Sequence, residues 1–228
     1  MDGIESYRYE RKFLVRDLSL EELNQVVDLH PAAFYPIHSP RWINNIYLDS
    51  PGLRSFTDNV EGFGTRIKFR IRWYGDMVGN IQSPILEIKK KWGYLSQKEL
   101  IPVPDFNFEE LLTTGRVMEL LQNLSVRDEI WGELIHLQPA LLNRYHRSYF
   151  LSADQKFRVT LDSHLEFYPA YLPLPQLLEH KVQENSCILE LKYDPEQDDQ
   201  AKAISNEFQF RLTKSSKYVS GIYHVFPG

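Results

Sequence analysis

The stretch TRIKFRIRWY, residues 65–74, sets Arg66, Lys68, Arg70 and Arg72 at every second position, with Ile67, Phe69 and Ile71 between them. Successive side chains of a strand leave on opposite faces, so this pattern makes one apolar face and one wholly cationic face. Arginine offers phosphate oxygens bidentate hydrogen bonds and lysine offers a mobile point charge, so such a face could hold a polyanion. The same alternation aligns Arg8, Glu10 and Lys12; Glu87, Lys89 and Lys91; Tyr145, Arg147 and Tyr149; Arg158, Thr160 and Asp162; and Glu190 with Lys192. For any one of these strands a solvated outer face is a sufficient reading. Across several strands it is strained, because like charges on neighbouring strands repel. The repulsion becomes tolerable if the sheet curls and the cations converge on a polyanion. Carboxylates among them (Glu10, Glu87, Glu190) add a second chemistry. Mg²⁺ and Mn²⁺ take oxygen ligands, often one or two carboxylates completed by substrate phosphates and water.

The composition bounds these readings. A chain of 228 residues, 43% of them hydrophobic, can bury a sizeable core, and its formal charge of −5 argues against a nucleic-acid binder held by a basic surface. Anion binding must therefore be local. The N-terminus MDGIESYRYERKF lacks the apolar run of a signal peptide, and no window holds the ~20 apolar residues of a membrane helix, so a cytoplasmic location without a membrane segment is expected. The single cysteine, Cys187, reads as a small buried hydrophobe. The histidines show no HxxxH or HxH spacing, and no GxxxxGK[ST] loop is present, so a His-based zinc site and a P-loop are not expected.

The elements that must position these residues are mostly strands. They are expected over 7–15, 42–50, 65–74, 84–92, about 94–103, 140–152, 156–167 and 187–194. Ser19 and Glu22 form a capping box that opens a short amphipathic helix. Residues 105–137 carry helical spacing instead, read as two or three short helices with Gly115 as a break and Pro139 as the close. Gly93 separates two strands, and the segment from Asp194 to Thr213 reads as a closing helix with acidic residues first. Helices inserted between runs of strands indicate an α+β fold with a mostly antiparallel sheet.

The segments YRYERKFLV, RIRWYGD, ILEIKKK, RYHRSYF, FRVTLD, CILELKYD and SKYVSG resemble, in this order, those of the VTC domain. That domain is the polyphosphate-polymerase branch of the triphosphate tunnel metalloenzymes, or CYTH superfamily. The resemblance runs from about residue 5 to 225. It implies one domain over 1–228, an antiparallel eight-stranded β-tunnel or barrel with helices packed outside and a helical insertion at about 105–137. It implies phosphate binding by Lys12, Arg70, Arg72, Lys89, Lys98, Arg147, Arg158 and Lys217. All of these except Lys98 are also implied as catalytic, with Glu190, joined by Glu10, as ligands of Mn²⁺ or Mg²⁺. The implied activity is metal-dependent transfer of the terminal phosphoryl of ATP to polyphosphate. Arg8-x-Glu10-x-Lys12 departs from the ExExK of many CYTH hydrolases, removing one acidic residue and adding an anion contact. A triphosphatase acting on inorganic or nucleoside triphosphates, and a non-catalytic module binding polyphosphate or nucleotide, stay open beside the polymerase. Arg66 and Lys68 are placed nearer the tunnel mouth.

Overall fold

A computed structural model describes residues 8–92, 95–114 and 116–226; Tyr7, Gly93 and Gly115, all used above, lie outside them. The strands are β1 (Tyr9–Val15), β2 (Tyr35–Asp49), β3 (Thr65–Tyr74), β4 (Asn80–Ile81), β5 (Ile85–Trp92), β6 (Leu95–Pro102), β7 (Phe106–Asn107), β8 (Gln138–Leu151), β9 (Phe157–Pro169), β10 (Val182–Glu184) and β11 (Cys187–Tyr193). The α-helices are α1 (Leu20–Asp28), α2 (Arg54–Val60), α3 (Phe108–Thr114), α4 (Val117–Gln122), α5 (Asp128–Leu134), α6 (Gln176–Glu179), α7 (Asp198–Glu207) and α8 (Lys217–Val225). The main sheet runs β1-β11-β9-β8-β2-β3-β5-β6 with every pair antiparallel, β10 pairs with β9, and β4 with β7 makes a small separate ladder.

Alternation decides which face is which. On the convex side, Phe69, Ile71, Leu86 and Ile88 pack under α3, α4 and α5 through Leu111, Leu121, Ile130 and Leu134. Farther along the sheet, Phe13, Val159, Leu161 and Leu189 pack under α1 and α7 through Leu23, Val27, Ala201 and Ile204. The Ser19–Glu22 capping box opens α1 as expected, and Cys187 is buried. Pro139 lies inside β8 rather than closing the helical set, and β2 begins seven residues earlier than the strand expected from position 42.

The sheet curls into a tunnel but is not a closed barrel: β1 and β6 stay at opposite ends of the strand order. The free edge of β1 is taken instead by the segment after α7. Phe13 bridges Leu212, and Thr213 N–H donates to the Lys12 carbonyl at 2.8 Å. That segment delivers the chain to α8, which packs against the concave face. Its Tyr218, Ile222 and Val225 meet Ile43, Tyr47, Leu141, Tyr145 and Phe167. Gly221 is required there, since a Cβ would stand 2.4 Å from Leu141 Cδ2 and 2.6 Å from Phe167 Cδ1. No helix among the described residues is long and apolar enough to cross a membrane.

Candidate functional site

The concave face is built from register. Lys12 stands opposite Glu190, Arg147 opposite Asp162, Arg70 opposite Glu87, and Lys89 opposite both Lys68 and Lys98. Inward alternation on each strand then brings the cations together in two networks, each around buried carboxylate.

The first network centres on Glu190 and Asp162. Glu190 lies 3.1 Å from Lys12 Nζ, 3.3 Å from Lys192 Nζ, and 3.6 Å from both Arg147 Nη2 and Lys217 Nζ. Asp162, fully buried, accepts from Arg147 Nε at 2.5 Å and Nη2 at 2.7 Å, and pairs with Lys217. Lys217 is the first residue of α8, aimed inward because Ser216 caps that helix and Tyr218 donates to Asp49. Burial alone would raise the Glu190 and Asp162 carboxyls. Lys12, Lys192, Lys217 and Arg147 around the one, and Arg147 and Lys217 around the other, hold them below the usual carboxylate range.

The second network centres on Glu87. It accepts from Arg70 Nε at 2.5 Å, and pairs with Lys98 at 2.9 Å and Arg72 at 3.1 Å. Arg72 Nε also donates to Asn45 Oδ1 at 2.8 Å, and Asn45 Nδ2 to Asn143 Oδ1 at 2.8 Å, so the guanidinium is fixed from behind. Arg70 Nη1 donates to the Tyr47 hydroxyl at 3.1 Å. Burial would raise the Glu87 carboxyl, but Arg70, Arg72 and Lys98 drive it far down. Tyr145 joins the networks: its hydroxyl accepts from Arg72 Nη2 at 3.4 Å, and its ring lies 4.8 Å from Lys217 Nζ and 5.2 Å from the Arg147 guanidinium carbon.

Six of the eight expected phosphate ligands thus converge: Lys12, Arg147 and Lys217 in one network, Arg70, Arg72 and Lys98 in the other. Lys89 faces the same space without an ion pair among the described residues. Arg158 shares the face of Thr160 and Asp162 and stands opposite Lys192, but it is exposed at the strand end. Asp162, Lys192, Tyr145, Tyr47 and Asn45 were not expected as site residues. Alternation had already put Asp162, Lys192 and Tyr145 on charged faces, which was the signal for them.

The expected metal ligands, Glu10 and Glu190, converge on one cation position, now held by Lys12 Nζ at 2.7 and 3.1 Å. Two hard carboxylates beside the expected phosphate ligands suit Mg²⁺ or Mn²⁺, which commonly keep water and phosphate in their remaining positions. Among the described residues no group of three or more His, Cys, Asp and Glu gathers, so an ion here would lean on its substrate. Arg8, which stands where the hydrolase pattern has its first Glu, turns to Asp194 at 3.6 Å at the exposed strand end.

The model of the VTC domain family matches residues 7–226. No curated protein sequence matches the chain. Among solved structures, a Bacillus halodurans protein described as an adenylate-cyclase candidate is similar at TM-score 0.52 and 14% identity, over 92% of this chain and 94% of that one. A Hippeastrum protein, an adenylyl-cyclase candidate described as having dominant triphosphatase activity, is similar at TM-score 0.50 and 14% identity, over 92% of this chain and 93% of that one. At such identity the likeness is one of fold.

Proposed function

The chain belongs to the VTC domain family, and from that premise we propose that it transfers the terminal phosphoryl group of ATP to the end of a polyphosphate chain inside the basic tunnel. The observation that carries this reading is the convergence of Arg70, Arg72, Lys98, Arg147, Lys12 and Lys217 on one concave surface, in two networks tied together by Tyr145. Phosphoryl transfer proceeds through a loose transition state with charge spread over the equatorial oxygens, so positioning and electrostatic stabilisation do most of the catalysis. Arg70, Arg72 and Arg147 present planar forks already oriented by Glu87, Asn45 and Asp162, and an incoming triphosphate exchanges with those carboxylates rather than with water. Lys12, Lys98 and Lys217 neutralise the charge that develops on the bridging oxygen. A deprotonated terminal oxygen of the acceptor chain forms the new P–O bond as the γ-phosphorus–bridging-oxygen bond breaks, and ADP leaves with the electron pair. Glu10 and Glu190 would hold the divalent ion, which supplies Lewis-acid stabilisation of phosphate oxygens.

A triphosphatase differs only in its acceptor, water. The outward turn of Arg8 to Asp194, which leaves Glu10 as the one carboxylate of its strand face, favours the polymerase. Incubation with ATP and Mn²⁺ separates the readings. Chain-length-resolved polyphosphate with stoichiometric ADP supports transfer, and free phosphate alone supports hydrolysis. Binding without turnover leaves an anion-binding module. Glu190→Gln should lower metal-dependent turnover more than metal-free tripolyphosphate binding, and equal losses would remove its metal role.

A further inference from the structure

In the Glu87- and Glu190-centred networks every cation has a carboxylate within ion-pair reach, but one part of the concave face does not follow that rule. At the β3–β5 end, Arg66 stands opposite Lys91 and Lys68 opposite Lys89, and among the described residues none of the four has an acidic partner in contact. Arg66 donates to Asn59 Oδ1 at 3.2 Å and Lys68 Nζ to Ser216 Oγ at 3.3 Å, both neutral acceptors. Directly opposed like charges destabilise a sheet, and with Lys89 exposed and Arg66, Lys68 and Lys91 partly exposed, all four can be reached by an anion. The arrangement is therefore frustrated until an anion arrives.

We propose that Arg66, Lys68, Lys89 and Lys91 form a second oxyanion subsite, separate from the two carboxylate-centred networks, which holds the polyphosphate chain that accepts the transferred group. The inference rests on the phosphoryl-transfer reading above and adds where donor and acceptor lie. Lys68 is one same-face step, ~7 Å, from Arg70. An extended chain of linked phosphates can span both regions, whereas a compact oxyanion occupies one. The surroundings of Lys68 fit this role: Arg66 and Arg70 on its own strand, Lys89 from β5, Lys12 from β1, and Ser216 with the Tyr218 ring, 5.8 Å away, from α8. Burial first, and then these cations, push its ammonium down to about 7. A bound polyanion reverses that shift, so at pH above about 7 the protein takes up a proton as the chain binds.

The test is titration calorimetry of the full chain with tripolyphosphate and with long-chain polyphosphate, in buffers of differing ionisation enthalpy. Lys68→Met should weaken long-chain binding about tenfold or more, the worth of one charge-assisted contact, and leave tripolyphosphate within about threefold. Its melting temperature should rise, since an unpaired cation is removed. Lys68→Arg, whose side chain is always charged, should keep long-chain affinity and reduce proton uptake, with the remainder coming from Lys89 and Lys91, whose ammonium groups are lowered as well. Equal weakening of both ligands, or of neither, overturns the second subsite while leaving the first. Failure of the unaltered protein to bind either ligand overturns the phosphoryl-transfer reading and this one with it. If Lys68→Met does not fold, Lys91→Gln carries the same comparison.

Discussion

Glu87→Gln is the sharpest probe of how the tunnel holds its cations apart. Glu87 is 4% exposed and neutralises Arg70, Arg72 and Lys98 at 2.5, 3.1 and 2.9 Å. The amide keeps the shape but removes the charge and points N–H groups at guanidinium or ammonium. Removing one partner of a buried ion pair costs ~3–5 kcal/mol. The cation side chains here remain 9–29% exposed, so water relieves part of the penalty and the lower end, about 3 kcal/mol, applies. For a chain of this size that is a fall of about 6–12 °C in melting temperature. Tripolyphosphate supplies the missing negative charge, so it should bind the variant more tightly than the parent. A tenfold gain is worth about 1.4 kcal/mol, and with saturating ligand the stability gap should narrow to about half. Urea unfolding at pH 7, with and without a fixed tripolyphosphate concentration, reads both quantities. A variant as stable as the parent without ligand, or a gap that ligand does not narrow, would refute the counter-ion role.

Gly221→Ala pushes a methyl group into Leu141 and Phe167 at 2.4–2.6 Å; overpacking should cost about 1–3 kcal/mol by urea unfolding and, by shifting α8 and Lys217, lower turnover further than stability alone explains. Arg158→Ala should change stability by no more than about 0.5 kcal/mol, because the residue is exposed and has no ion pair among the described residues. Its tripolyphosphate affinity should fall severalfold and show a shallower salt dependence; unchanged affinity would remove Arg158 from the site. The carboxyls of Glu87, Asp162 and Glu190 are lowered from ordinary values of 4.5, 3.8 and 4.5, so their stabilisation is complete at neutral pH and is lost as pH falls below about 4.5 toward and through the folded values. Lys68 acts with the opposite sense. Its amine is lowered from 10.5 to about 7, so the ligand-free protein should gain stability between about pH 7 and 10.5, a rise that Lys68→Met reduces in urea midpoints measured across that range.

The part of this site legible in the sequence is the part set by local geometry. Period two is a property of one strand, and Arg66, Lys68, Arg70 and Arg72 share the concave side as their spacing required. Which carboxylate answers which cation is a matter of register between strands distant in sequence. Lys12 meets Glu190 across 178 positions and Arg70 meets Glu87 across 17, so Glu190 read as a metal ligand before its four cation partners were visible. The helix α8 was illegible for a related reason. Its Gly221 and β-branched and aromatic residues weaken helical propensity, and the helix is stabilised by packing against Leu141 and Phe167. Nor was α2 readable, since its N-cap, Leu53, lies at φ 54° and offers no side-chain bond.

The puzzle of a cationic strand in an acidic chain resolves into two ways of storing positive charge. Paired cations such as Arg72 and Arg147 are costly to unpair but fixed in orientation, which suits groups that must meet a transition state within a few tenths of an ångström. Cations without an ion pair among the described residues, such as Lys68 and Lys89, give up that rigidity, which on the reading proposed above suits drawing in a flexible chain. A formal charge of −5 for the whole chain implies that acidic residues prevail outside the tunnel. A uniformly basic surface would attract any polyanion, nucleic acid included, through counterion release. On the reading proposed above, confining the cations to the concave face of a curled sheet limits strong attraction to anions that can reach that face, so shape works beside charge.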